Sequence, residues 1–574
     1  MSSAFRTVAA AIGAALLWLP VAGLAQRGQF SADEMRQWLS YIASDELQGR
    51  EVFTEGFGLA GAYIADHLKT WRVEPAGDAG SYFQTVSVLG MRTRSNSSIT
   101  VTRGGESRTF KDGEGVTFLR NQGGKQTISA PLEFVGYGIS YPPLDHDDYA
   151  GRDMKGKIAL FIGRGVRGMT ATHNRLINNR ARNAIELANA VAVIGPVAPN
   201  AGRGPAAGAP VDAADGRGGI APSAPPVAVG NAAQRVDFQT TRDLNLPVAP
   251  QITASDEFFN FIFAGSAYSY DELKAFAAKQ EALPDVAFRN VSITINVDAQ
   301  YERVQTRLTR NVVGLVRGTD ARLRDTYVAL GAHYDHVGYQ QFAPAGAGAN
   351  LIAACAGQTR PTPRADDIVN NGADDDGSGT VSLMAIAKAF AASRPKRSVL
   401  LVWHAGEEAG LYGSRYMADH PVVPIDRMVA MLNIDMVGRN RCDNPDEANK
   451  VYLVGSERIS TELHNINEEA NASQRRPLTL DYEYNDVSDL ESIYTRSDHY
   501  SYAAKGVPII FFTTGLHRDY HFRTDEVDKI EFPKMARIAE LVYATATRVA
   551  NLDHAPVRDF AGPRIGQGRT GAIR

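Results

Sequence analysis

A handful of short strings hold the side chains that could do chemistry. They are His333-Tyr334-Asp335, the acidic glycine loop 372–379 with Asp374, Asp375 and Asp376, Glu407-Glu408, Asp435, and the run His517-Arg518-Asp519-Tyr520-His521. Histidines and carboxylates with almost no cysteine make a nitrogen–oxygen ligand set, suited to zinc and also to manganese or cobalt. A cation held there would activate water and polarise a carbonyl. Singly, each string has a plainer reading. A His-x-Asp at a strand end serves structure more often than metal binding, an acidic glycine loop is commonly a helix start where carboxylates are favoured, and paired glutamates are frequent on surfaces. Their order, each at the same end of a separate strand, is what sets them apart.

The elements that must position them alternate between strand and helix from 311 to about 551, the mark of a mostly parallel or mixed sheet covered by helices on both faces. Strands are expected at 311–316, 326–332, 398–404, 428–434 and 507–513. The second of these runs into His333, the third into Glu407-Glu408, the fourth into Asp435 and the last towards 517–521. The clearest helix is 379–392, with Leu383, Ile386, Ala387 and Phe390 on one face and Arg394-Pro395 as its stop. In open α/β sheets ligands bind beyond the carboxyl ends of the strands, so these distant residues would converge. Upstream, 33–73 reads as helical and 83–101 as short β-like runs. A second, β-rich unit begins near Phe110 with strands at 132–138 and 157–162, closes near Leu283, and includes a stretch at 196–226 dense in Gly, Ala and Pro that reads as a surface loop.

Composition narrows the function classes. At 574 residues the chain is too long for one core. Its 44% hydrophobic and 22% charged residues are those of an ordinary globular protein. A net charge of −4, from 60 basic and 64 acidic residues, argues against a nucleic-acid partner. Two cysteines exclude a disulfide scaffold, an iron–sulfur cluster and a four-cysteine zinc site. Arg6, the apolar run 8–19, Pro20 and the small-residue exit Gly23-Leu24-Ala25 describe a secretory signal peptide cut after Ala25. Its uninterrupted run is short of the roughly 20 residues a spanning helix needs. The expectation is an exported protein, periplasmic or extracellular, with no stable membrane insertion. Export permits a disulfide. Cys355 and Cys442 fall in loops at one end of the predicted sheet, so one bridge contributing about 3–5 kcal/mol, or two free thiols, would fit.

Taken together these strings resemble metallopeptidase family twenty-eight, the co-catalytic dizinc aminopeptidases. The matching residues are Gly331-Ala332-His333-Tyr334-Asp335, the 372–379 loop, Glu407-Glu408-Ala409-Gly410-Leu411-Tyr412-Gly413-Ser414, Asn433-Ile434-Asp435-Met436, Ser497-Asp498-His499-Tyr500 and Asp519-Tyr520-His521. The stretch 132–162, with Asp147-Asp148-Tyr149-Ala150-Gly151 and Lys155-Gly156-Lys157, resembles a protease-associated domain. The loop 44–50 and Gly80-Ser81-Tyr82-Phe83-Gln84 also look like the start of such bacterial peptidases.

The resemblance implies two Zn2+ ions bridged by Asp375, one completed by His333 and Asp435, the other by Glu408 and His521. It implies Glu407 as general base, Asp335 orienting the His333 ring, Tyr520 stabilising the tetrahedral intermediate and Asp498 supporting the site. His517 competes with His521 for its role; His404 and His499 read as supporting residues, and His336 has no partner pattern. The implied organisation is a signal peptide at 1–25, peptidase segments at 26–109 and 284–555, a protease-associated insertion at 110–283 and a tail at 556–574. The implied function is removal of N-terminal residues from peptides. Carboxypeptidase, dipeptidase or glutaminyl cyclase chemistry on the same scaffold, or a catalytically silent binding relative, are the alternatives.

Overall fold

The computed structural model describes residues 30–559 apart from 120–122, 170–172, 187, 197–235, 241–246, 340–354, 356–357 and 486–488. The segment 1–25 read as a signal peptide, nearly all of the 196–226 stretch and most of the tail 556–574 lie outside the described residues.

Four strands made almost wholly of apolar residues form the centre of a ten-stranded mixed sheet. They are Ser398–His404, Tyr327–His333, Met428–Ile434 and Ile509–Thr513, neighbours in that order and all parallel. Such near-continuous apolar runs belong to strands buried on both faces. Alternation assigns the sides: Val328, Leu330, Leu401, Trp403, Leu432 and Ile434 share one core with the helices Ala32–Ile42, Glu55–Thr70, Gly379–Ala392 and Phe532–Asn551. Ala329, Leu400, Val402 and Met431 face the other core, with Met417, Tyr500 and Tyr502 from the helices Tyr412–Asp419 and His499–Ala503. Antiparallel strands flank the centre, Ala299–Val316 beside Ser398–His404 on one side and Lys450–Val454 beside Ile509–Thr513 on the other.

A second, nine-stranded sheet forms the β-rich unit, with its own core around Phe258, Phe259, Ile262 and Phe263 of the helix Asp256–Phe263. Its strands include Ser98–Arg103 and Val291–Val297, which pair with each other and lie outside the 110–283 span drawn from the sequence. Two long strands, Phe83–Ser95 and Ala299–Val316, pair antiparallel from Ala299 opposite Ser95 to Val312 opposite Phe83. They run from the edge of this unit into the first sheet, so the chain enters and leaves the unit along one ribbon. Among the described residues no helix is long and apolar enough to cross a membrane.

Candidate metal centre

The carboxyl ends of the parallel strands deliver their polar residues into one buried pocket. Asp375, from the loop that opens the Gly379–Ala392 helix, stands at its middle, 3% exposed. Its Oδ1 lies 3.2 Å from His333 Nε2 and its Oδ2 3.0 Å from His521 Nε2. Asp435 Oδ1 is 3.7 Å from the same His333 nitrogen and Glu408 Oε2 2.9 Å from the same His521 nitrogen. The two sides of Asp375 thus each carry one imidazole and one further carboxylate. Glu407 Oε2 stands 3.9 Å from His333 Nε2, inside the donor group formed by His333, Glu407 and Asp435.

These contacts are not a hydrogen-bonded network. His333 Nε2, His521 Nε2 and Asp375 Oδ2 are buried and have no hydrogen-bond partner despite their short separations. Buried polar atoms without partners are costly. Two donors each about 2.0–2.2 Å from one zinc stand roughly 3–3.5 Å apart at a tetrahedral angle, close to the spacings seen. The ion-pair partners of Asp375, Glu408 and Asp435 among the described residues are all histidines. Excess buried negative charge of this kind needs a cation. Electrostatics point the same way. Burial works against charge on both imidazoles, yet Glu407 and Asp435 carry His333, and Glu408 carries His521, well above the ordinary histidine range. Burial and Asp375 push Glu408 up, but His521 and His336 hold it down at about 2. The pocket stabilises positive charge at the points where two ions would sit, so the residues fit a two-metal group.

The surrounding shell explains why these side chains hold still. Asp335 Oδ1 and Oδ2 accept the backbone N–H groups of Glu407 and Glu408 at 3.1 and 3.2 Å. The His333 ring is held instead by the Asp335 carbonyl, 3.1 Å from Nδ1, with the carboxylate at 3.7 Å. Asp376 accepts the N–H groups of His333, Gly379 and Met436 and so ties three site segments together. Asp525 Oδ2 accepts those of Asp374 and Asp375. His517 faces Asp374 Oδ2 at 3.3 Å, behind the loop. Asp519 binds Arg439, Thr524 and Lys529. Asp498 lies 3.3 Å from His404 Nδ1, and although burial raises its carboxyl, His404 brings it below the usual range; its neighbour Ser497 is the one that reaches the pocket. Tyr520 stacks on His521 with ring centroids 3.9 Å apart, and its hydroxyl accepts from Arg496 Nη2 at 3.0 Å.

Cys355 and Cys442 form a disulfide. Beyond it, Gln358 donates to the Cys442 carbonyl and Arg360 to the Tyr520 carbonyl, so this segment is anchored next to His521. On another side the β-rich unit reaches the site region. Asn179 and Arg182 of the helix Asn174–Glu186 donate to Ser492 and Thr495, just before Arg496.

Two participants carried little sequence signal of a role here. Arg50, fully buried, donates to the carbonyls of Ile42, Tyr334, Asn371 and Gly372, clamping the exit of the His333 strand to the entry of the Asp375 loop. Burial lowers its guanidinium to about 10, with Asp335 and Asp375 opposing that shift. The 44–50 loop drew attention, but nothing in it named a buried clamp. His336, three residues after His333, places Nδ1 3.0 Å from Glu408 Oε1 and belongs to a second donor group with Asp375 and Glu408. Its spacing from His333 was the one available hint.

A mixed sheet whose parallel strands end in a buried pocket of imidazoles and carboxylates, with one carboxylate facing an imidazole on each side, presents two candidate metal-binding groups. Residues 311–546 match peptidase family M28. That span contains all of the converging side chains. Leucine aminopeptidase 2 of Arthroderma otae is 25% identical over 308 residues, 49% of this chain and 52% of its own. A probable zinc metalloprotease of Leptosphaeria maculans is 34% identical over 133 residues, 23% of this chain and 25% of its own. The chain therefore spans about half the length of the first relative and a quarter of the second. Among solved structures, the aminopeptidase from Aneurinibacillus sp. strain AM-1 is similar at 17% identity and a TM-score of 0.43, over 93% of this chain and 98% of that one.

Proposed function

We propose that this protein is an exported zinc aminopeptidase that hydrolyses the N-terminal peptide bond of peptides. The observation that carries the reading is Asp375, buried, with one carboxylate oxygen facing His333 and the other His521. His333, Asp435 and Asp375 would hold one zinc and His521, Glu408 and Asp375 the other. Bound there, the pair would supply Lewis acidity at the scissile carbonyl and lower the pKa of an attacking water. Glu407 is the group placed to take that water's proton and pass it to the leaving amine, as general acid–base work requires. Its backbone N–H on Asp335 fixes where the carboxylate begins. Tyr520 would donate its phenol proton to the developing oxyanion, a role supported by its stacking on His521 and its hydroxyl's acceptance from Arg496. The β-rich unit is read as a protease-associated domain walling one side of the cleft through Asn179 and Arg182. Export rests on the leader-like pattern at 6–25.

The test is a panel of aminoacyl-p-nitroanilides beside their N-acetylated copies, before and after chelation and with zinc restored. The proposal expects cleavage of free-amine substrates alone, lost on chelation and regained with zinc. Cleavage of acetylated copies, or silence across the panel with zinc bound, would reject the aminopeptidase reading in favour of carboxypeptidase, dipeptidase or cyclase chemistry.

A further inference from the structure

We infer that His336 is a positioning residue for the second metal position: it occupies one oxygen of Glu408 so that the carboxylate offers the ion only the other. The inference rests on the two-metal reading above and deepens it.

The two non-bridging carboxylates of the pocket are built alike. Asp435 accepts a hydrogen bond from Ser497 Oγ on Oδ2, at 2.6 Å, and turns Oδ1 towards His333. Ser497 in turn accepts from Asn433 Nδ2 at 2.9 Å, so its own proton is committed to Asp435. Glu408 has its Oε1 on His336 Nδ1, at 3.0 Å, and turns Oε2 towards His521. On each side one oxygen is tied off and one faces the ion position. A carboxylate divided in this way binds through a single oxygen, which keeps the remaining positions of a small coordination sphere open for water and substrate.

His336 is fixed as firmly as the role demands. Its backbone N–H donates to the Arg50 carbonyl at 3.1 Å. Its ring lies against Gly372, where a Cβ would come within 2.5 Å of Cγ and Cδ2, and where φ is +56°. Only glycine allows both that backbone and that approach. The Arg50 guanidinium holds the Gly372 carbonyl at 2.9 Å. The ring is therefore pinned between the clamp and the Asp375 loop and is buried completely. Because Glu408 accepts and does not donate when ionised, the proton sits on His336 Nδ1. That nitrogen is 4.0 Å from Asp375 Oδ2, further than His333 and His521 stand from the oxygens they face. Although His336 shares a candidate donor group with Asp375 and Glu408, its Nδ1 is taken up by Glu408 Oε1, and His521 is the imidazole nearer Asp375 Oδ2.

The experiment measures zinc stoichiometry and the affinity of each zinc, by competition with a chromophoric chelator, in the native chain, His336→Ala and His336→Asn. Loss of an outer hydrogen-bond partner costs a metal site about 10–100-fold in affinity. We expect His336→Ala to bind two zinc ions at saturation, with one affinity lowered by that factor and the other unchanged. His336→Asn, which can present an amide N–H near the place of Nδ1, should recover most of the loss. Unchanged affinity at both positions in His336→Ala would overturn the inference. So would a single zinc at saturation in both variants, the result expected if a ligand had been removed. Fewer than two zinc ions in the native chain would instead overturn the two-metal reading, and this inference with it.

Discussion

Glu407→Gln is expected to keep two zinc ions per chain while its turnover of an aminoacyl-p-nitroanilide falls by about 10²–10⁴-fold, the range that a positioned general base contributes. The substitution changes one oxygen for an amide nitrogen and keeps the shape. Glutamine cannot take a proton from water, so the loss should fall on kcat with KM little altered. The geometry makes the result informative, because Glu407 Oε2 lies 3.9 Å from His333 Nε2 and shares a donor group with His333 and Asp435. If Glu407 were a ligand, the variant would lose one zinc together with its activity. If it were neither base nor ligand, activity would stay near native. Zinc content and kcat measured on one preparation separate the three cases.

Asp375→Asn should be the most damaging change for metal binding. Each oxygen of Asp375 faces a different imidazole, so this one side chain serves both ion positions. The amide is neutral and presents a single oxygen. Both zinc affinities should fall by more than the about 10–100-fold that an outer partner is worth, and peptidase activity should drop to background. The loop itself should persist, because the backbone N–H groups of Asp374 and Asp375 are held by Asp525 and not by the substituted group. Equilibrium zinc binding shows this directly; a variant holding two zinc ions with native affinity would remove Asp375 from the bridging role.

Much of the site was legible because its scaffold is. Strands buried on both faces are written as unbroken apolar runs, so 398–404 and 428–434 coincide with the observed strands and the helix 379–392 with the observed helix. Parallel strands end at one side of a sheet, which is why polar residues just past those runs meet. Contacts made by the chain folding back from afar were not legible. Arg50 reaches carbonyls at 334, 371 and 372 from 284 to 322 residues away, and a lone arginine in a polar loop looks the same whether exposed or buried. His336 follows His333 past the strand end, where no periodicity fixes direction, and only the turn against Gly372 aims it at Glu408. His333-x-Asp335 suggested a carboxylate on the ring, whereas Asp335 gives the ring its carbonyl and spends its carboxylate on the Glu407 and Glu408 backbone. The β-rich unit extends past the expected 110–283 because Ser98–Arg103 and Val291–Val297 close its sheet from both ends of the insertion, and cross-strand pairing carries no local mark.

The central claim is two zinc ions sharing Asp375. Anomalous diffraction from native crystals, collected on both sides of the zinc absorption edge, tests it most directly. The account predicts two zinc peaks, one beside Asp375 Oδ1 with His333 and Asp435, the other beside Oδ2 with His521 and Glu408. A single peak, or zinc located away from Asp375, would contradict it.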